Sequence, residues 1–206
     1  MTHHDIPQYS AEWFRARIGI PTASAFDKLL TPKTLKISSQ AEAYQHRLLA
    51  EWLLQTPFET ETHVWAMDVG MVREEEAVQY YELTTGQETQ VVGFCTTDDG
   101  RVGCSPDRFV GEEGLLEVKC PLAPTQVRYL LAGTLPAEYL LQTQGQLYVT
   151  GRAWCDFLSY YPGMPAVLVR VLPETAVQQA LQTVLTQFCE ELEKNKVCLL
   201  GSCFPR

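Results

Sequence analysis

The chain has 206 residues, enough for one domain with a sizeable core, and its 46% hydrophobic and 20% charged content is that of an ordinary globular protein. No apolar run approaches the roughly 18 residues that a bilayer span needs, and Met1-Thr2-His3-His4-Asp5-Ile6-Pro7 lacks the apolar core of a signal peptide; a cytoplasmic protein without a membrane partner is expected. The net charge of −9 argues against a non-specific nucleic-acid coat, but residues 15–47 carry Arg15, Arg17, Lys28, Lys33, Lys36 and Arg47 against only Asp27 and Glu42, which leaves room for a local basic channel.

Ser10 caps a short helix to Arg17 that stops at Gly19. Pro21 opens a second helix, with Thr22 and Ser24 near its first turn. A polar loop over 33–39 leads into a third, where Tyr44, Leu48, Leu49, Trp52 and Leu53 share a face. After a loop at 56–62, a fourth helix runs from about 68 to 85 and turns Val78, Tyr81 and Leu83 inward. Strands are expected at about 88–97, 101–104, 106–111 and 114–119, with Asp98-Asp99-Gly100 as a hairpin turn. Helices at 124–132 and 136–150 and strands at 153–161 and 166–172 follow. A last helix carries Val177, Leu181, Leu185, Phe188 and Leu192 at helical spacing. The order predicts a mixed α/β domain with a central sheet. It has N-terminal helices over about 8–56, a core over about 66–172 and a C-terminal helix over about 173–199, all within one domain.

The seven cysteines are odd in number and contain no Cys-x-x-Cys pair, so reduced, mostly buried thiols are expected rather than a disulfide framework or an iron–sulfur cluster. The four histidines show no ligand spacing.

Ser105-Pro106-Asp107 and Glu117-Val118-Lys119 flank a segment that reads as strand, tight turn, strand. Residues two apart on a strand share a face, so Glu117 and Lys119 point together and Val118 points into a core. If the turn folds the strands together, Asp107 comes near Glu117. Two carboxylates suit a hard divalent cation such as Mg²⁺, and a lysine beside them can hold a nucleophilic water or a phosphate oxygen. The other reading of these residues is a surface hairpin with solvated charges.

The flanking residues extend the pattern. Glu74 lies on a helix before the strands, and Gln142-Thr143-Gln144-Gly145-Gln146-Leu147-Tyr148 lies on a helix after them. This ordered set resembles the PD-(D/E)xK nuclease core, and most closely the phage lambda exonuclease and viral recombinase family. The resemblance rests on Trp13-Phe14-Arg15-Ala16-Arg17 through Thr22-Ala23-Ser24, Gly70-Met71-Val72-Arg73-Glu74, Cys104-Ser105-Pro106-Asp107, Leu116-Glu117-Val118-Lys119-Cys120-Pro121 and Tyr139-Leu140-Leu141-Gln142-Thr143-Gln144, over roughly residues 8–172.

The resemblance implies a central mixed β-sheet flanked by helices. It also implies a Mg²⁺-dependent exonuclease, with two ions per site and Mn²⁺ as a substitute. Asp107, Glu117, Glu74 and the Val118 carbonyl would be the metal ligands, Lys119 would orient or help deprotonate the attacking water, and Gln144 and Tyr148, four apart on a helix, would line the DNA side. Gln142 is a further candidate. Arg17 would receive the terminal 5′-phosphate through its fork of donors. Thr22 and Ser24 would either contact phosphate at a helix N-terminus or act as caps. Trp13 would be a core aromatic, a DNA contact or part of a partner surface. Implied partners are 5′-phosphorylated ends of double-stranded DNA, two further copies in a homotrimeric ring, and a single-strand annealing protein in a bacterial or phage-infected cell. The alternatives are another endonuclease on the same core and a catalytically silent DNA-end-binding protein.

Overall fold

Strand β6 (Gly114–Lys119) organises the molecule. A computed structural model describes residues 1–58 and 64–201, with backbone alone for 64–72. The end of the loop expected at 56–62, His63, Cys203 and the side chains of Gly70, Met71 and Val72 therefore lie outside the described residues. β6 is central in a five-stranded sheet of order β2-β5-β6-β7-β8, formed with β2 (Thr89–Val91), β5 (Arg108–Val110), β7 (Trp154–Ser159) and β8 (Val167–Val171). Its pairing with β7 is parallel, from Gly114↔Trp154 to Lys119↔Ser159, and the other pairings are antiparallel. Parallel neighbours need a long crossover, and α4 (Ala123–Ala132), a 3₁₀ turn (Ala137–Tyr139) and α5 (Leu140–Thr150) supply it.

Alternation along β6 divides the core. Leu115 joins the larger apolar cluster with α2 (Ala41–Leu54), α5 and α6 (Thr175–Gly201). Leu116 and Val118 join a smaller one with Ala77, Val78 and Tyr81 of α3 (Val64–Thr85). Glu117 and Lys119 thus face the α5 side, and Val118 packs on the other face as expected. On the α3 face, buried Asp156 accepts from Tyr81 Oη at 2.8 Å and from Arg170 Nε and Nη2 at 2.9 Å each, so its charge is paired.

The structure departs from the expected elements in several places. The strand expected at 88–97 is two strands: β2 joins the large sheet, while β3 (Phe94–Thr96) joins a separate sheet of order β1-β3-β4, with β1 (Thr2–His4) and β4 (Gly103–Cys104). Gly93 lies between them, where a side chain would come within 2.3 Å of the Ile6 carbonyl oxygen. β1 was not anticipated, as three residues carry too little periodicity. The helix at Pro21 is a 3₁₀ helix, Ala23–Lys28. Leu53 and Leu83, expected to face inward, are 51% and 87% exposed. Cys95, Cys104, Cys120, Cys155 and Cys189 are free thiols, whereas Cys198 is disulfide-bonded.

α5 is buried on nearly every side, as a core helix must be. Gly145 allows this, since a Cβ there would lie 2.5 Å from the ring of Phe26, which is itself fully buried. Gly145→Ala is accordingly expected to destabilise the protein by about 1–2 kcal/mol, because the overpacking cost exceeds the gain in helix propensity. A urea unfolding curve checks this; an unchanged or raised midpoint would show that Phe26 can yield.

Candidate active site

Asp107 immediately precedes β5 and is 8% exposed, while Glu117 is 1% exposed. β5 pairs with β6 only as far as Arg108↔Leu116, and beyond that point the Asp107 carboxylate takes the strand's place. Its Oδ2 accepts the Val118 N–H at 2.6 Å. Lys119 O faces β7, where it accepts from Tyr160 N at 2.9 Å. Alternation therefore directs the Val118 carbonyl to the Asp107 side, as its N–H already is.

Glu117 is held by three donors. Lys119 Nζ and Gln142 Nε2 reach Oε1, the latter at 2.5 Å, and Gln146 Nε2 reaches Oε2 at 2.5 Å. A buried carboxylate needs such partners to replace the water it has lost. Burial first, and then the charges of Glu117 and Glu74, push the Asp107 carboxyl well above the usual range. Burial raises Glu74 as well, against the lowering effect of Arg108. For Lys119, burial favours the neutral amine, but Glu117 and Asp107 outweigh it and hold the pKa above its ordinary value, so the side chain is a cation. Glu74 meets Arg108 Nη1 at 3.4 Å. Of its neighbours, Glu75 shares the same arginine, pairing with Arg108 Nη2 at 2.9 Å, and Glu76 accepts from Tyr160 Oη at 2.7 Å.

A cavity of about 200 Å³ opens over these groups, lined by Asp107, Glu117, Lys119, Gln142 and Gln146. The same cavity is lined by Gln8, Tyr9, Trp13, Arg17, Ser24 and Ser105 from the N-terminal segments and the strand loop. α1 (Ala11–Ala16), capped by Ser10 Oγ, sets Trp13 in place. Trp13 is buried, donates from Nε1 to Ser105 Oγ at 2.9 Å, and carries the Arg17 guanidinium 4.0 Å from its ring centroid. Trp13 therefore combines a core position with a place beside the cavity. Ser24 is exposed, but Thr22 is 5% exposed, its N–H donating to Tyr44 Oη and its hydroxyl 3.3 Å from that of Ser24. Thr22 faces a neighbouring hollow shared with Arg17 and Tyr44, not the cavity over the carboxylates.

Gln144 and Tyr148 are placed differently from the expectation. Gln144 is fully buried and turned towards α6: Nε2 donates to Leu172 O at 2.8 Å, and Oε1 accepts from Glu174 N and Gln178 Nε2 at 2.9 and 2.8 Å. Tyr148 lies with Asp99, Arg101, Leu185 and Cys189. The spacing of four is the right rule, but it joins Gln142 to Gln146. Residues two apart on a helix lie about 200° apart around the axis. Gln146 could have been found from that spacing. Tyr9 and Gln8 carry no sequence signal for the site.

Among the described residues, no three His, Cys, Asp or Glu side chains form a ready metal cage. Mg²⁺ does not need one, since it is held by one or two carboxylates and keeps several waters. The donor chemistry fits such an ion: Asp107 and Glu117 are all-oxygen donors, both buried, and their mutual repulsion is what a divalent charge would offset.

A model of the YqaJ-like viral recombinase domain matches residues 12–153. The crystal structure of an alkaline exonuclease, LHK-Exo, from Laribacter hongkongensis superposes with a TM-score of 0.81 at 32% identity, covering 92% of this chain and 96% of that one. The same exonuclease in complex with dAMP matches equally. A phage related exonuclease from Haemophilus somnus 129PT shares the fold, with a TM-score of 0.62 at 12% identity over 85% of this chain and 96% of that one. No curated protein sequence matches.

Proposed function

Because this chain belongs to the YqaJ-like viral recombinase domain family and has a PD-(D/E)xK fold, we propose that it is a Mg²⁺-dependent 5′-to-3′ exonuclease of double-stranded DNA. It enters at an end, releases mononucleotides and leaves a 3′ single strand for recombination by annealing. The observation that carries this reading is one cavity lined by Asp107, Glu117 and Lys119 and also by Arg17 and Ser24. The related exonuclease is seen with dAMP, a nucleoside monophosphate, in keeping with mononucleotide release.

Asp107 and Glu117, with Glu74 and the Val118 carbonyl, would hold two Mg²⁺ ions, or Mn²⁺ in their place. When bound, the ions supply Lewis-acid stabilisation of charge on the attacking and leaving oxygens. Gln142 and Gln146 fix the Glu117 carboxylate. Lys119, as a charged donor, orients the attacking water or a phosphate oxygen. Arg17, steadied on Trp13, takes the 5′-phosphate, and exposed Ser24 adds a hydroxyl donor. Gln144 and Tyr148 act through the packing of α5, and Thr22 through the packing of its own segment. The whole chain works as one nuclease domain. No described helix is long and apolar enough to cross a membrane; the family resemblance supports a bacterial or phage-infected cell, the homotrimeric ring and the annealing partner. A ring would explain how a chain of net charge −9 stays on a polyanion.

Digestion of linear duplexes bearing 5′-phosphate or 5′-hydroxyl ends, with and without Mg²⁺, tests the reading. Degradation is expected only with the metal and about 10- to 100-fold faster from the phosphate, the difference that charge-assisted hydrogen bonds represent. Arg17→Ala should abolish that preference. Equal rates would remove Arg17 from its role, and cutting of a covalently closed circle would replace the exonuclease with an endonuclease.

A further inference from the structure

We propose that Tyr9 grips the nucleotide being released, its hydroxyl donating to a phosphate oxygen and its ring, backed by Trp13, packing against the sugar and base. The inference rests on the nuclease reading above and adds a substrate contact to it. Tyr9 lines the cavity that holds Asp107, Glu117, Lys119 and Arg17. It is 40% exposed, and its ring lies 5.3 Å from that of Trp13. With the Arg17 guanidinium on Trp13, the three side chains form a continuous run of aromatic and cationic faces beside the carboxylates. Such a surface suits a nucleotide, whose base offers a π-face and whose phosphate accepts hydrogen bonds. Among the described residues the Tyr9 hydroxyl makes no hydrogen bond, and a phenol is a donor at neutral pH.

The backbone gives a second, independent reason. Tyr9 has φ 65, a left-handed conformation that costs a side-chain-bearing residue and costs glycine nothing. The segment is held there from both sides. Gln8 Nε2 donates to Val92 O and Pro106 O, both at 2.8 Å, and Ser10 caps α1. Pro106 adjoins Asp107, so the same anchor ties the Tyr9 loop to the carboxylates. A tyrosine kept where glycine is the easier choice is explained by what its side chain does in the cavity.

Tyr9→Phe and Tyr9→Gly test this in the full-length protein, with Asp107→Asn as the inactive reference. Steady-state digestion of a 5′-phosphorylated linear duplex with Mg²⁺ and thermal unfolding are both measured. Tyr9→Phe should lower kcat/KM about tenfold, mainly through KM, with an unchanged Tm, as the loss of one hydrogen bond to a charged oxygen predicts. Tyr9→Gly should lower kcat/KM about 100-fold while its Tm holds or rises, because glycine relieves the left-handed strain. Wild-type kcat/KM in Tyr9→Gly, or a loss of activity that tracks a lowered Tm, would overturn the proposal and leave the nuclease reading standing. A wild-type protein that degrades no DNA would overturn both.

Discussion

Asp107→Asn should reduce DNA degradation about a thousandfold or more, the loss that several kcal/mol of charge stabilisation at a phosphoryl centre represents. The substitution retains an oxygen that can accept the Val118 N–H, so the fold should survive it. Folding raises the Asp107 pKa through burial and the charges of Glu117 and Glu74. An acid raised in this way stabilises the fold below the ordinary carboxylate range, and that contribution is lost as pH climbs towards the raised value. Without divalent cations, the variant should therefore melt at or above wild type at pH 8, and the difference should shrink in acid. Mg²⁺ should raise the Tm of wild type and leave the variant unmoved, since an ion that binds only the native site stabilises by mass action. Undiminished degradation by the variant would remove Asp107 from the reaction. An equal Mg²⁺ response in both proteins would remove it from the metal.

The paired substitutions Gln144→Leu and Gln146→Leu should separate the two faces of α5. Gln144→Leu leaves the Leu172 carbonyl and the Glu174 N–H without their partner, while the Gln178 amide keeps its bond to the residue 144 backbone carbonyl. It should cost about 1–2 kcal/mol of stability, since two part-buried hydrogen bonds to the start of α6 are lost, with little change in the activity of the folded fraction. Gln146→Leu removes one of the three donors on Glu117. It should lower activity about 10- to 100-fold, because a carboxylate that turns out of place no longer serves the site. Urea unfolding and the specific activity of each variant give the comparison. The reverse pattern would return Gln144 to the candidate catalytic set.

How much of this is legible in the chain depends on the period of the element concerned. On β6 the period is two, and Glu117-Val118-Lys119 can be divided between faces with no other information; the structure has Val118 in the α3 cluster and Glu117 on the α5 side. Asp107 is legible as a neighbour once the turn is recognised. On α5 the four positions 142, 144, 146 and 148 contain two pairs at the same spacing of four, and nothing local says which pair meets the strand. The choice is made where Gly145 lets α5 settle on Phe26, a contact between segments more than a hundred residues apart. Tyr9 belongs to the same class, since its place beside Asp107 depends on Gln8 reaching Val92 and Pro106.

The sequence by itself therefore determined the family and the charged strand of the candidate site, because strand alternation and ordered motifs are local properties of a chain. The tertiary structure decided which helix face holds Glu117, that Thr22 and Gln144 are buried away from the cavity over the carboxylates, and that Tyr9 joins it. Those choices are made by the packing of distant segments, which no local period encodes.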